Sequence, residues 1–547
     1  MRRAAPILLF GLIAALYVLK MPTEFVSGDS TDEVGWATSE SPDVRSSHLL
    51  TTPFYRAALK LNPFRCLDAK PFLVLQLANI LLSVCCSVLF YATLRLLKLG
   101  MAWALFLAAA SALADGMVYH TTFVETTIQP QLCLVLAIYC FVRYRVRQAQ
   151  RSLHLILFLV AISLCVLFAL NMVVLVPAAI AALACDWLRR REPSAVRVVV
   201  TVAFVFGLLL TVPFIVGAQA QGVDSASGFL KWMLTHPESD RLAHMRRGFD
   251  VVRLARPGAG LVRVFWYAGP ALSSVRIWLS GDASGQVPLA SLLDLGFGVL
   301  VALCSCLLAL GGAWVTRKSP MTIFCCVGLG LFYLFNAYWT GGDSQFWLPG
   351  LPLLLLLIAE RIRVPSRPAY ARRTSWLMMV PLAAMVILAF RPSTILPSLI
   401  CPQGGPEVRH AREFGRTLAP GDVVVTPDWL WAGYLVNIRA DLIVVDLVYD
   451  ELGQGVEFRD RIAGLVNRAL RSGRAAYFDD LTGRGLPGHH GAWEMVRSGR
   501  GVSRVQLAAH LAQWYELRPM GGPAAVGISR AFPRGVRQRD NENGAVR

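Results

Sequence analysis

Pro71-Phe-Leu-Val-Leu-Gln-Leu-Ala-Asn-Ile-Leu-Leu-Ser-Val-Cys-Cys-Ser-Val-Leu-Phe-Tyr-Ala-Thr-Leu94 carries no charged residue and is closed by Arg95 and Lys98. As an α-helix it rises about 36 Å, enough to cross a hydrocarbon core of about 30 Å. The stretch therefore reads as a membrane span. Working outward, similar blocks lie near 5–20, 101–118, 128–142, 153–169, 172–188, 198–216, 289–314, 321–338, 346–360 and 375–391. Residues 1–394 are thus expected to form an α-helical polytopic membrane domain of about 11 transmembrane helices. With 55% hydrophobic and 16% charged residues, the chain falls outside the range of ordinary soluble or disordered proteins.

The formal charge of +18 raises the question of a nucleic-acid partner. Its placement answers it. Arg2 and Arg3 precede the first block, and Arg95 and Lys98 follow the second. Arg143, Arg145, Arg147 and Arg151 lie between the fourth and fifth, and Arg189, Arg190, Arg191 and Arg197 between the sixth and seventh. Arg317 and Lys318 separate the eighth from the ninth, and Arg361, Arg363, Arg367, Arg372 and Arg373 the tenth from the eleventh. The alternate connections Asp115–Thr127, Asn171 and Tyr338–Gln345 hold no Lys or Arg. This is the positive-inside pattern, which puts the N-terminus in the cytoplasm and the C-terminal region outside. The basicity is topological, and no nucleic-acid partner is expected.

No small-x-small cleavage site follows the first block, so it reads as a retained anchor. Ten of the twelve cysteines fall within or at the edges of blocks, where they serve as small packing residues. Cys66 and Cys401 lie outside, where an oxidising compartment would permit a bridge between them. External segments 21–70 and 218–288 and the tail share one side. The tail reads as a soluble α/β domain over 395–533, with 534–547 disordered. Asp422-Val-Val-Val-Thr-Pro, Asp441-Leu-Ile-Val-Val-Asp-Leu and Ala475-Ala-Tyr-Phe read as strands, with helices over 428–437 and 457–472, implying a small parallel sheet.

The densest chemistry lies in Ser27-Gly-Asp-Ser-Thr-Asp-Glu-Val-Gly-Trp36. Asp29, Asp32 and Glu33 at a membrane surface can act as general base toward a hydroxyl or hold a divalent cation. The same residues fit a helix start, with Ser30 as N-cap and Glu33 reaching back to it. Asp115, His120 and Glu125 form a second polar group near membrane depth, where ionisable residues are costly and often functional, although loop positions satisfied by water fit as well. Gly341-Gly-Asp-Ser-Gln-Phe-Trp places Asp343 and Gln345 where a ligand can meet them, while Phe346 and Trp347 also suit interfacial anchors. Lys231, Arg241, Arg246 and Arg247 suit an anionic head group or a solvated helix face.

Taken together, these features resemble the GT-C superfamily of membrane glycosyltransferases, and bacterial relatives of the protein O-mannosyltransferases in particular. Those relatives carry a Gly-Asp-Ser-x-Glu motif in the first external loop. Gly28-Asp29-Ser30 matches it, with Asp32 or Glu33 near the family's Glu. His48 and Thr51-Thr-Pro-Phe-Tyr resemble the His-Pro-rich segment, although no Pro adjoins the His. Val124-Glu125 is similar to the Glu-Val-Tyr stretch, and Leu348-Pro-Gly-Leu-Pro352 to the Leu-Pro-x-x-Pro element. Gln345-Phe346 stands where the superfamily often has Arg-Tyr.

The resemblance implies sugar transfer from a polyprenyl-phosphate donor to a protein, lipid or glycan hydroxyl on the outer face, with inversion, in a bacterial inner membrane. It makes Asp29, then Asp32, the candidate base, with Glu33 beside them. Glu125 would orient the acceptor or help hold a divalent cation. His48, Asp343, Gln345, Lys231, Arg246 and Arg247 are the candidate substrate contacts. A transporter or lipid flippase would instead place charges near the midplane, and the blocks are nearly free of charge there. A non-catalytic scaffold would leave the carboxylates as helix caps.

Overall fold

The computed structural model describes residues 4–21, 34, 37–38, 48–63, 67, 71–146, 150–190, 195–234, 251–266, 289–338, 345–364, 369–390, 406–439, 441–447, 454–481, 493, 496–497, 500–520 and 527–533. Each apolar block is helical over most of its described length. α1 is Ala4–Lys20, α2 Thr51–Lys60, α3 Pro71–Leu96, α4 Met101–Leu113, α5 Asp115–Thr122, α6 Ile128–Val146, α7 Arg151–Phe168 and α8 Leu175–Arg190. Then come α9 Ala195–Ala220, α10 Ala226–Leu234, α11 Val251–Phe265, α12 Leu289–Val315, α13 Pro320–Tyr338, α14 Gly350–Arg363 and α15 Ala369–Leu388. Among the described residues, six helices are long and apolar enough to cross a membrane, and a seventh results if α4 and α5 count as one bent span. The blocks in α1, α6, α14 and α15 are helical without meeting that length and composition.

The apolar faces left uncovered by protein tell the same story. On α9, Val200, Phe204, Leu208, Val212 and Val216 form a stripe four residues apart, all exposed. Leu293, Leu300, Leu303, Leu307 and Leu310, at helical spacings of three, four and seven, are likewise exposed on α12. Water would not tolerate such faces, and lipid covers them at no cost. The chain is a multi-pass membrane protein.

Two details correct the sequence reading of this part. The block at 101–118 is not one straight helix: Ala114 adopts extended geometry (ψ 133°), and α5 turns 57° from α4. Gly116 on α5 lets the backbone of α11 come close, since a Cβ there would sit 3.0 Å from the Val264 Cα. The tenth block starts later than expected, because 345–349 form turns and α14 begins at Gly350. From Gly350 to Glu360 every residue of α14 is buried, so this helix lies at the bundle's centre, packed on α4, α12 and α13. Gly312 on α12 permits that packing, as a Cβ there would overlap the Leu357 carbonyl oxygen. Segments 21–70 and 218–288 also hold helices: α2 in the first, and α10 and α11 in the second.

Contacts divide the chain into two compact units, with the main break at 402/403. In the second unit, α16 is Pro406–Gly415, β1 Val423–Thr426, α17 Trp429–Ile438, β2 Ile443–Asp446, α18 Gly455–Arg471 and β3 Ala476–Asp479. α19 is Arg504–Leu511, β4 Tyr515–Pro519 and β5 Ile528–Pro533. The three expected strands are present and parallel, with β1 between β2 and β3. The sheet is nevertheless mixed, in the order β2-β1-β3-β5-β4, because β5 runs antiparallel to β3 and to β4. Alternation along β1 explains why all of it is buried. Val423 and Val425 face Phe458, Ile462 and Val466 of α18, while Val424 faces Phe414 of α16 and Trp431 of α17.

Candidate functional site

Polar contacts tie the residues leading into α2 to the end of α7. The His48 ring Nδ1 lies 3.0 Å from the Phe168 carbonyl, and the Thr51 hydroxyl donates to the same oxygen at 3.3 Å. The Leu50 N–H donates to Leu167 at 3.1 Å. Since α7 ends at Phe168, its last carbonyls have no intrahelical partner, and this segment supplies donors to them. One turn into α2, the fully buried Tyr55 hydroxyl donates to the backbone carbonyl of Glu125 at 2.7 Å.

Asn79, on the facing side of α3, completes the junction. Its Nδ2 donates to the Phe123 carbonyl at 3.0 Å and reaches the Glu125 carbonyl at 3.4 Å. Its Oδ1 accepts from Gln129 Nε2 at 3.0 Å. Asn79 thereby fastens the α5–α6 connection, which carries Glu125, to the start of α3. Glu125 is buried, 4% exposed, inside the bundle. A turn further along α3, Ser83 bonds Thr121 at 2.7 Å. Gln76, Asn79, Ser83 and Ser87 form a buried polar stripe on this otherwise apolar helix. A polar stripe in hydrocarbon is retained where partners face it, and here α2, α5 and α6 provide them.

The candidates distribute as follows. His48 and Glu125 are tied into this one junction. Asp115 heads α5, where a carboxylate in the first turn suits the helix dipole, and His120 is buried on the same helix. Gln345 begins the turns before α14. There Trp347 is buried against Tyr333 of α13, and Asn336 donates to the Phe346 carbonyl at 3.3 Å. Trp347 therefore packs inside the bundle rather than facing the interface. Lys231 belongs to α10. Asp29, Asp32, Glu33, Asp343, Arg241, Arg246 and Arg247, with Cys66 and Cys401, lie outside the described residues. Among the described residues no three His, Cys, Asp or Glu side chains converge as a metal site. A cleft of about 180 Å³ lies between the end of α2 and the start of α3, lined by Thr38, Leu59, Asn62, Leu67, Pro71 and Val74. No candidate residue lines it.

Tyr55, Asn79 and Gln129 were absent from the sequence-based candidates. The signal was available for Asn79: an amide inside an apolar span is a marker of interhelical bonding.

No protein-family model and no curated protein matches this chain. Among solved structures, ArnT from Cupriavidus metallidurans bound to undecaprenyl phosphate aligns with 96% of this chain and 97% of its own, with a TM-score of 0.55 and 12% identity. ArnT from the same organism in the apo state aligns over 97% and 98%, with a TM-score of 0.55 and 12% identity. The S. cerevisiae protein O-mannosyltransferase Pmt1-Pmt2 complex bound to the sugar donor aligns over 40% of this chain and 33% of that one, with 18% identity and a TM-score of 0.32. That score is below the level at which a common fold follows. The alignment with ArnT runs nearly end to end, and this chain has the fold seen in ArnT.

Proposed function

We propose that this chain is a membrane glycosyltransferase, moving a sugar from a polyprenyl-phosphate donor to an acceptor hydroxyl on the outer face, with inversion. The observation that carries the reading is the nearly end-to-end alignment with ArnT, a protein solved with undecaprenyl phosphate bound. A lipid phosphate of that class is what such a reaction releases. The domain division assigned is a membrane part over 1–394, crossing about eleven times, and an extracytoplasmic α/β part over 395–533.

In the proposed step the acceptor oxygen attacks the anomeric carbon. Its proton passes to the Asp29 carboxylate, with Asp32 the second choice for this role. The bond between the anomeric carbon and the phosphate oxygen breaks, and its electron pair leaves with the polyprenyl phosphate. Lys231, Arg246 and Arg247, or a divalent cation, would balance that charge. Glu125, buried beside Tyr55 and Asn79, would orient the acceptor, with His48, Asp343 and Gln345 as further contacts. Glu33 would join the carboxylate pair, or act as a cap if a helix starts at Ser30.

The arrangement of Arg and Lys supports an N-terminus in the cytoplasm. Reporter fusions after Arg191 and Arg373 are expected to report cytoplasm, and one after Pro427 the outside. A cytoplasmic signal from the last would reverse the orientation and remove the outer-face reaction. The function itself is tested by a surface glycan profile of a deletion strain, in which one sugar modification is expected to disappear and to return with the wild-type chain. An unchanged profile would count against transfer.

A further inference from the structure

Asn336, in the last turn of α13, is an amide in an apolar helix and is fully buried, 0% exposed. Its Nδ2 donates to the Phe346 carbonyl at 3.3 Å. Only the nitrogen of a carboxamide can donate, so this bond fixes the direction of the group and leaves Oδ1 as an acceptor. Oδ1 makes no hydrogen bond among the described residues. The residue after Phe346 is Trp347, 4% exposed, and its indole Nε1–H likewise has no acceptor among the described residues.

A buried acceptor and a buried donor thus stand at one contact, between α13 and the turns before α14. Each is costly to leave unmet. One group answers both: a hydroxyl, whose O–H donates to Asn336 Oδ1 while its oxygen accepts from Trp347 Nε1. A carbonyl or carboxylate would serve only the indole, and an ammonium only the amide. A water would serve both but has a second O–H that these two groups do not use. The surroundings are aromatic. Trp347 meets Tyr333 edge-on with ring centroids 6.3 Å apart, and Phe346 lies 6.3 Å from Phe335. Aromatic walls with a few placed polar groups suit a sugar ring, whose C–H edges pack on the walls while its hydroxyls bond. Gly350 leaves room for the indole, since a Cβ there would lie 3.2 Å from Trp347 Cε3.

We propose that Asn336 and Trp347 form a subsite for one hydroxyl of the transferred sugar. The subsite deepens the transfer reading above and stands only with it. Tyr338–Gln345, which connects α13 to these turns, holds no Lys or Arg. In the proposed topology it falls on the outer side, where the sugar of the donor must sit. A site that bonds a buried hydroxyl rejects an analogue lacking it, because its own polar groups are then left unpaired. The pair therefore selects and positions the sugar, and takes no part in proton transfer.

The test is thermal unfolding of the full-length protein with polyprenyl phosphate alone and with polyprenyl-phosphate mannose, glucose, galactose or arabinose. Polyprenyl phosphate is expected to raise the melting temperature of the wild type, and at least one lipid-linked sugar to raise it further. In Asn336→Leu with Trp347→Phe the first shift is expected to remain and the surplus from the sugar to disappear. Transfer of that sugar is expected to fall at least about tenfold in kcat/KM. Trp347→Phe alone keeps the ring against Tyr333 and removes only the N–H. It carries the same prediction, smaller in size, if the pair does not fold. A surplus unchanged in both variants refutes the subsite. A trapped water predicts that result, together with a lower melting temperature before any donor is added. Polyprenyl phosphate that stabilises with no sugar adding to it also refutes the subsite and leaves lipid-phosphate binding intact. If no lipid phosphate stabilises the wild type, the transfer reading itself fails and the subsite with it.

Discussion

Asp29→Asn is expected to lower sugar transfer by about two to four orders of magnitude while leaving membrane level and unfolding temperature unchanged. The substitution preserves size and polarity and removes the basic oxygen. It therefore tests proton transfer rather than packing, and loss of a general base has an effect of this order. Glu33→Gln is the comparison. A capping role predicts normal turnover with a destabilisation of about 1 kcal/mol. If Asp29→Asn turns over normally while Asp32→Asn or Glu33→Gln is inactive, the base is reassigned within the same cluster. If all three variants remain active with a polyprenyl-phosphate sugar, the first external segment is structural.

Asn79→Leu is expected to destabilise the protein by about 2–4 kcal/mol and to lower transfer at least about tenfold. Leucine fills a similar volume but cannot bond. The substitution deprives the Phe123 carbonyl and the Gln129 amide of a buried partner and removes the Asn79 contact with the Glu125 carbonyl. Each polar group left unsatisfied costs about 1–3 kcal/mol, although bonds between membrane helices often measure at the low end of that range. Activity falls because the α5–α6 connection that carries Glu125 loses its tether to α3. Thermal unfolding and a transfer assay on one preparation check both parts. A variant with unchanged stability and unchanged transfer would remove the junction from the account of the site.

The helices were the most legible part of the sequence, because one constraint, a long run without charge, determines them. The 57° break at Ala114 was less so. Asp115-Gly116 marks it, but the bend depends on α11 packing against Gly116, which is a tertiary contact. α11 itself, Val251–Phe265, was not named in the sequence reading, because Pro257 and Gly258 interrupt its apolar pattern. β4 and β5 were missed for a similar reason. Tyr515-Glu-Leu-Arg-Pro519 alternates weakly and pairs with β5, which follows it directly in the chain and joins it to β3. The site was legible as residue types and not as a junction. His48, Tyr55 and Glu125 fell within motif-like stretches, whereas Asn79 and Gln129 act through bonds between residues 24 to 50 positions apart. The arginines at 145, 151 and 190 were explained by topology, which accounts for their side of the membrane but not for their convergence on Asp186.

The central claim is that this chain transfers sugar from a lipid phosphate with inversion. It is tested most directly in proteoliposomes holding the purified full-length protein, a polyprenyl-phosphate sugar of known anomeric configuration and an extract of outer-surface acceptors. The account predicts that polyprenyl phosphate is released in step with a glycosylated acceptor, and that the new linkage has the opposite anomeric configuration by NMR. A linkage of retained configuration would contradict the single-displacement step and the role given to Asp29. With a panel of such donors, failure to consume any of them under conditions where the protein stays folded would contradict the glycosyltransferase itself.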